Sequence, residues 1–498
     1  MFINKSSQNK FGKLFGFFLV ISLLVLSGCK TGVFSDQNPP DTSQQAPAPP
    51  APVSVDGVRT SYADVVEKTS PAVVMIQSER KASAQPQMFD FFNGPQSAPE
   101  GRQRPTERGL GSGVLVSADG TILTNHHVVD GADKITIQMN DKKTFVAKVI
   151  GSDPPSDLAV LKIDARNLPF LTLGNSDNVR IGDIVLAIGN PLGIGQTVTA
   201  GIISAKGRQT GISDGTFEDF LQTDAPINRG NSGGALVNLS GELIGINSQI
   251  LSSGQSGGNI GIGFSIPSNM AKSVMEQLIQ NGKVRRGMLG INIQNVTEDI
   301  ARNFDLKEPK GVLVSNVRQG SAAEKAGIKT GDIIIGINGE EVEDANILRN
   351  KVAGTLPGTE IKIKVLRDGN EQELTATLDE FQVEGMKASN DQGEDGDKES
   401  DKSGQNGKLG LSLQPVTPEM AKQLNLNGNK GLVVTNVDPN GAAAEEGIRQ
   451  GDVILSINRQ EVTSLDQVQP AIEKSGDRPV LLFISRNGQT AFLTVTPK

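Results

Sequence analysis

The sequence predicts a mainly β protein of several domains, and three observations carry that prediction. Composition is the first: 57 Gly, no Trp, one Tyr and 36% hydrophobic residues suit many short strands joined by tight turns better than long helical bundles. Length is the second, because 498 residues exceed what one hydrophobic core serves. The third is an internal repeat. The stretch beginning "LGINIQNVTEDIARNF" at Leu289 returns as "LGLSLQPVTPEMAKQL" at Leu409, an offset of 120 residues without a gap, so that Gly311 meets Gly431, Asp332 meets Asp452, Asn338 meets Asn458 and Val342 meets Val462. Each copy alternates apolar runs with Gly-rich turns and carries a short helical pattern, which describes a compact strand-rich domain.

Taken in chain order, the first element is not structural. Lys5, Lys10 and Lys13 precede an apolar run from Leu14 to Leu26, the charged and apolar regions of an export signal, too short for an ordinary membrane span. The run ends in Leu26-Ser27-Gly28-Cys29, which resembles the bacterial lipobox, and Cys29 is the sole cysteine. The expectation is a signal peptide over 1–28 and a lipid-anchored Cys29 at the mature terminus, with acyl chains enough for stable anchoring. Lys30 follows, and the absence of Asp there resembles lipoproteins sent on to an outer membrane. Residues 29–57, rich in Pro, Gln, Ser and Ala, read as a disordered tether, and the polar, charged 381–407 as a linker.

The middle region, 58–285, holds the chemistry-bearing residues. The chain has only two histidines, His126 and His127, in "TILTNHHVVDGAD", just past the end of a strand expected to begin at Thr121. Adjacent residues in extended chain point apart, so one histidine at most serves a given site. Zinc fits poorly, since neither a second histidine cluster nor a cysteine pair is present; no metal and no cofactor is expected. Asp157 follows a Pro-Pro turn and heads the apolar strand Leu158 to Ile163, where a carboxylate is expensive unless it accepts hydrogen bonds. Ser232 sits in Gly230-Asn231-Ser232-Gly233-Gly234, a setting that can expose a hydroxyl on a sharp turn. A net charge of −8 and a pI near 5.2 argue against a nucleic-acid partner.

The order His, Asp, Ser is that of the chymotrypsin-like double β-barrel. Together "TNHHVVDGAD", "SDLAVLKID", "AIGNPLGIGQTVTAGIIS" and "QTDAPINRGNSGGALVNLSGELIGIN" resemble the Do/HtrA (DegP-type) serine proteases, over roughly Val58 to the C-terminus. The repeats, 286–380 and 408–498, look like PDZ domains of the bacterial protease type, through the Gly331-Asp332 to Asn338 and Gly451-Asp452 to Asn458 runs. The resemblance implies a chymotrypsin-like double barrel followed by two small α+β PDZ domains. Ser232 becomes the nucleophile, His127 rather than His126 the general base, Asp157 its orienting carboxylate, and Gly230, Asn231 and Ser232 the oxyanion turn. Leu289-Gly290-Ile291 and Leu409-Gly410-Leu411 become the loops that capture peptide C-termini.

Pro226-Ile227 falls where such a fold places the floor of the S1 pocket; no acidic residue is there, so small aliphatic P1 side chains are expected, and Asp224 reads as structural. The insert Gln85 to Gly109, with Phe89, Phe91 and Phe92, resembles a regulatory loop. The expectation is an ATP-independent endopeptidase of the cell envelope acting on unfolded proteins, periplasmic, and assembled as trimers or multiples of trimers. Two rivals stand beside it: a chaperone or peptide-binding scaffold that does not cut, and a signalling protease with one dedicated substrate.

Overall fold

Two closed six-stranded barrels come first in the computed structural model, which describes residues 54–55, 58–80, 107–190, 195–210, 217–228, 230–250, 258–382, 409–424, 426, 428, 430–476 and 478–497. The signal segment, Cys29, most of the 29–57 tether, Phe89, Phe91, Phe92 and most of the 381–407 linker lie outside these residues. The first barrel is built from β1 (Val73–Arg80), β2 (Glu107–Leu115), β3 (Thr121–Thr124), β4 (Lys134–Gln138), β5 (Thr144–Asp153) and β6 (Leu158–Lys162), in the order β1-β2-β3-β6-β5-β4. The second joins β7 (Ile184–Gly189), β8 (Thr197–Arg208), β9 (Phe220–Thr223), β10 (Ala235–Asn238), β11 (Leu243–Ile250) and β12 (Gly263–Pro267), in the order β8-β9-β12-β11-β10-β7. Closure leaves neither barrel an unpaired edge. β2 begins at Glu107, paired with Arg80, so regular structure resumes earlier than the expected end of the insert at Gly109.

Burial explains why these segments are strands. Leu158, Ala159, Val160 and Leu161 of β6 are all fully buried, and Val185, Leu186, Ala187 and Ile188 of β7 likewise. Both runs face the barrel interior on one side and neighbouring elements on the other, which is why they read as continuous apolar stretches. A 14-residue helix, Ser268–Asn281, packs Ala271, Val274 and Leu278 into the same core.

Each repeat forms its own five-strand path with a sixth short strand, Ile291–Asn295 to Asn370–Thr377 in the first and Leu411–Pro415 to Gln489–Val495 in the second. The Gly-Asp pair of the shared run has a physical reason. Asp332 is buried, accepts from Lys329 N at 2.7 Å and binds the Arg367 guanidinium through both its oxygens; Asp452 does the same with Arg449 N and Arg486. Arg367 and Arg486 stand 119 apart, whereas Asp332 and Asp452 stand 120 apart, so one residue is missing from the second copy between its helix and its last hairpin.

The second repeat packs on the first. Gln294 completes both backbone bonds of Phe492, donating to its carbonyl at 2.8 Å and accepting its N–H at 3.0 Å, beside the stacked rings of Phe483 and Phe492. The first repeat in turn meets the second barrel through its helix Ala345–Gly354: Asn346 donates to Gly207 O and accepts from Gln209, and Asn350 donates to Glu218 O.

Candidate active site

The site is assembled from both barrels. Past β3 the chain turns into a one-turn helix, His126–Val129, rather than continuing extended. Gly111 of β2 lets this helix seat closely, because a Cβ there would stand 2.7 Å from Val128 Cγ1. The helix, not strand alternation, separates the two imidazoles. His126 Nδ1 lies 2.7 Å from Ser152 Oγ, on the β5 side, while His127 Nδ1 lies 2.9 Å from both oxygens of Asp157.

Asp157 ends the 3-10 turn Pro154–Ser156 in left-handed conformation, φ 53°. Its carboxylate accepts from His127 N at 3.1 Å and from Ser248 Oγ at 2.8 Å; its carbonyl accepts from Asn125 Nδ2 and His126 N. Burial pushes the Asp157 carboxyl up, but the facing His127 imidazole and these hydrogen bonds outweigh it and hold the group below the usual carboxylate range. Burial likewise pushes His127 down, and the Asp157 charge and hydrogen bond outweigh it, leaving the imidazole above its ordinary value.

Ser232 stands on a turn between β9 and β10. Gly233 follows with φ 81°, and a Cβ there would strike the Ser112 carbonyl oxygen and Thr124 Oγ1, so the residue after Ser232 must be glycine for two reasons. Ser112 of β2, fully buried, crosses to this turn from the first barrel. Its N–H donates to Ser232 O at 2.8 Å, its hydroxyl donates to Gly230 O at 2.5 Å, and the same hydroxyl accepts from Asn190 N at 2.8 Å. The N–H of Asn231, expected in the oxyanion turn, is spent on Asn228 O at 3.0 Å, and that of Gly233 on Asn247 O at 2.7 Å. This leaves Gly230 and Ser232 as the N–H pair with no internal acceptor among the described residues.

The Ser232 hydroxyl donates to the Ser248 carbonyl oxygen at 3.0 Å. Ser248 therefore touches both halves: its carbonyl holds Ser232 and its hydroxyl holds Asp157. Sequence reasoning singled out neither Ser112 nor Ser248; the one available signal was a serine between two glycines at the head of "GSGVLV". Asp224 accepts from Ile202 N at 2.7 Å, a structural bond, and Ile227 is buried where a Cβ on Gly263 would meet its Cδ1 at 2.9 Å.

In the first repeat Leu289, Gly290 and Ile291 border a groove of about 400 Å³, closed on its other side by Leu348 and Val352 of the helix Ala345–Gly354 and by Phe217 of the protease region. Phe217 meets the Phe381 ring edge-on at 5.4 Å and lies under the Arg286 guanidinium at 4.7 Å. Arg286, nearly buried, binds Asp153 through both terminal nitrogens, and Asp153 caps the turn leading to Asp157 by accepting from Ser156 N and Oγ. Leu409, Gly410 and Leu411 repeat the loop in the second copy, where Ala443 N donates to Leu409 O at 3.1 Å as Ala323 N does to Leu289 O at 2.9 Å.

A hydroxyl on a tight turn and a buried imidazole–carboxylate pair, linked through Ser248, are the elements that acyl transfer to a serine requires. The trypsin-like peptidase domain family matches residues 111–246, and PDZ domain families match 287–378 and 433–486. A probable periplasmic serine endoprotease, DegP-like, of Chlamydia trachomatis is 41% identical over 463 residues, covering 88% of this chain and 89% of the relative. A protein of the same description from Brucella suis is 38% identical, covering 95% of this chain and 97% of its own. Among solved structures, the HtrA-type protease AlgW with a tripeptide is 45% identical with a TM-score of 0.54, covering 65% of this chain and 98% of that one. The same protease with a decapeptide is 44% identical with a TM-score of 0.52, covering 65% and 99%. The chain belongs to the DegP/HtrA-type serine endoproteases, a trypsin-like peptidase domain followed by two PDZ domains.

Proposed function

We propose that this protein is an ATP-independent endopeptidase of the periplasm that degrades unfolded proteins, using Ser232, His127 and Asp157. The observation that carries the reading is the buried His127–Asp157–Ser248 network beside a hydroxyl on a turn that only glycine can follow. For reaction, the Ser232 hydroxyl leaves the Ser248 carbonyl by rotation about χ1 and turns to His127 Nε2. Its oxygen attacks the scissile carbonyl carbon while His127 takes the proton, and the N–H groups of Gly230 and Ser232 stabilise the oxyanion. His127 returns the proton to the departing amine nitrogen as the C–N bond breaks, and water repeats the sequence on the acyl-enzyme.

The buried, uncharged surroundings of Ile227 favour small aliphatic P1 side chains. The sequence has no Gly-x-x-x-x-Gly-Lys-Ser/Thr loop, which supports independence from ATP. Anchoring through Cys29, in an outer membrane, rests on the Leu26-Ser27-Gly28-Cys29 pattern and Lys30; trimeric assembly rests on the family resemblance alone. Regulation by the PDZ domains is supported by the unbroken line from the groove through Phe217, Arg286 and Asp153 to the turn that presents Asp157.

Cleavage of reduced, unfolded casein by the chain from Lys30 tests the reading, beside Ser232→Ala and His127→Ala. Cuts after Val or Ala, lost in both variants, are expected. Intact casein whose aggregation is nevertheless suppressed would favour the non-cutting chaperone.

A further inference from the structure

The two PDZ repeats share an apolar outer face, but only one of them has it covered. In the first repeat Ile300 of the helix Glu298–Asn303, Leu313 and Ile333 are buried in one cluster with Leu481 and Phe492 of the second repeat, and the Phe492 ring stands edge-on to Phe304 at 6.2 Å. Gln294 clamps that phenylalanine by its backbone, donating to its carbonyl and accepting its N–H. The same face returns 120 residues on: Ile300, Leu313 and Ile333 become Met420, Val433 and Val453, Phe304 becomes the smaller Leu424, and Gln294 becomes Gln414. There the apolar cluster consists of second-repeat residues alone, among the described residues, and Met420, Leu424 and Leu455 stay half-buried at its edge. Gln414 Nε2 has only the weak acceptor Met420 Sδ, at 3.5 Å, and its Oε1 accepts nothing among the described residues.

The first repeat offers nothing to cover this face. Its last hairpin aligns with that of the second repeat at an offset of 119, so Lys364 and Glu373 pair across the strands where Phe483 and Phe492 do. Lys362 binds Glu373 at 3.1 Å and Lys364 binds Glu371 at 2.6 Å, all four exposed, and such charges enter an apolar socket only by losing their water. A folded second copy does not supply the aromatic hairpin either, because each copy's Phe492 is seated on its own first repeat. The open face is continuous with that interface: a cavity of about 570 Å³ runs from Phe304, Phe483 and Phe492 to Leu426 and Leu455.

We infer that this outer face of the second PDZ domain docks an extended stretch of unfolded polypeptide carrying an internal phenylalanine. The ring enters beside Met420, Leu424 and Leu455, and Gln414 holds the N–H and C=O of the same residue as Gln294 holds those of Phe492. A ring removed from water supplies the affinity. The clamp reads backbone, being donor and acceptor at once, so it tolerates any sequence around the ring. The site needs no chain terminus and therefore takes internal segments that a carboxylate loop does not. The choice of occupant rests on the action on unfolded proteins proposed above.

The probe is a synthetic copy of Gln489–Pro497, labelled at its N-terminus and amidated at its C-terminus so that it carries no terminal carboxylate. Its binding is read by fluorescence anisotropy on the chain from Lys30 carrying Ser232→Ala, which spares it from cleavage. One site per chain is expected. Phe492→Ser in the peptide, and Gln414→Ala or Leu455→Asp in the protein, should each weaken binding about tenfold or more. Hydrogen exchange should show the peptide protecting Pro418–Gln423 and Val453–Ile457. Protection of Glu298–Asn303 instead would mean that the peptide only displaces the chain's own hairpin, and would overturn the site; so would absence of binding or indifference to Gln414→Ala. In the protein that retains Ser232, Gln414→Ala should raise KM for unfolded casein severalfold and leave kcat unchanged. An unmoved KM would overturn the assignment to substrate, and splitting of the assembly by the peptide, followed by light scattering, would give the face to a second copy. If the parent leaves casein uncut, the degradation reading fails by itself, and the peptide still decides the site.

Discussion

The two barrels contribute to the site in different ways. The first supplies His127 and Asp157, and it holds them by many bonds: the Asp157 carboxylate accepts from two groups of His127 and from Ser248, its carbonyl accepts from Asn125 and His126, and its N–H closes the Pro154 turn. The second barrel supplies Ser232 on a turn held from within by Asn228, Asn247 and Ser248 and fastened from outside by Ser112 of the first barrel. The proposed acid–base half is fixed mostly within the first barrel, with Ser248 reaching it from the second, while the proposed nucleophile half is tied to both barrels.

Replacing Asp157 by Asn attacks the locally fixed half and should have the largest effect. Asn tolerates the left-handed backbone that Asp157 adopts, so the turn survives. The imidazolium then loses its counter-charge, and kcat should fall about 10⁴-fold. The pH profile separates this from misfolding. His127 must be neutral to act as base, so kcat/KM of the parent should rise through an inflection above the ordinary imidazole pKa, because Asp157 raises it. In Asp157→Asn the inflection should move down, and an unmoved inflection would sink the pairing. Stability follows the same signs. The raised His127 contributes stability that is full below its unfolded pKa and lost as pH rises through the folded one; the lowered Asp157 contributes stability that is full above its unfolded pKa and lost as pH falls through the folded one.

Ser112→Ala attacks the fastening between barrels. Gly230 O and Asn190 N lose their partner in a buried setting, which should cost about 2–6 kcal/mol of stability at roughly 1–3 each. The loosened turn should lower kcat about 10- to 100-fold without moving the His127 inflection. An unchanged kcat in a destabilised protein would show that the bond between barrels is structural only.

What was legible in the sequence follows from rarity and setting. Rarity narrowed the imidazole to His126 and His127, and the resemblance of His127-Val128-Val129 to the family motif chose His127; Asp157 at the head of a buried strand and Ser232 in its Gly-rich turn stood out beside it. Ser248 did not, because a serine within a strand carries no local mark, and Ser112 did not although glycines flank it; their bonds to Gly230, Asn190 and Asp157 join residues 118, 78 and 91 apart in the chain. The repeat was visible because its turns need the same glycines, yet its one-residue contraction was hidden in a stretch where no residue type is constrained. The separation of His126 from His127 was expected from an extended chain and is produced instead by a helical turn.

The smallest of these effects concerns Ser248, which belongs to both halves at once. Ser248→Ala keeps the backbone carbonyl that holds Ser232 and removes only the hydroxyl that donates to Asp157. A hydrogen bond to a charged group is worth about 1.5–3 kcal/mol, and here the His127 bonds remain, so a loss near the lower end, roughly tenfold in kcat/KM, is expected. That hydroxyl is also among the groups that lower the Asp157 pKa, so its removal raises the carboxyl and moves acid unfolding to higher pH. Both changes should appear together in one variant. If kcat/KM falls while the acid midpoint stays put, Ser248 acts through the Ser232 turn rather than through Asp157, and the division between a locally fixed half and a fastened half fails at the one residue they share.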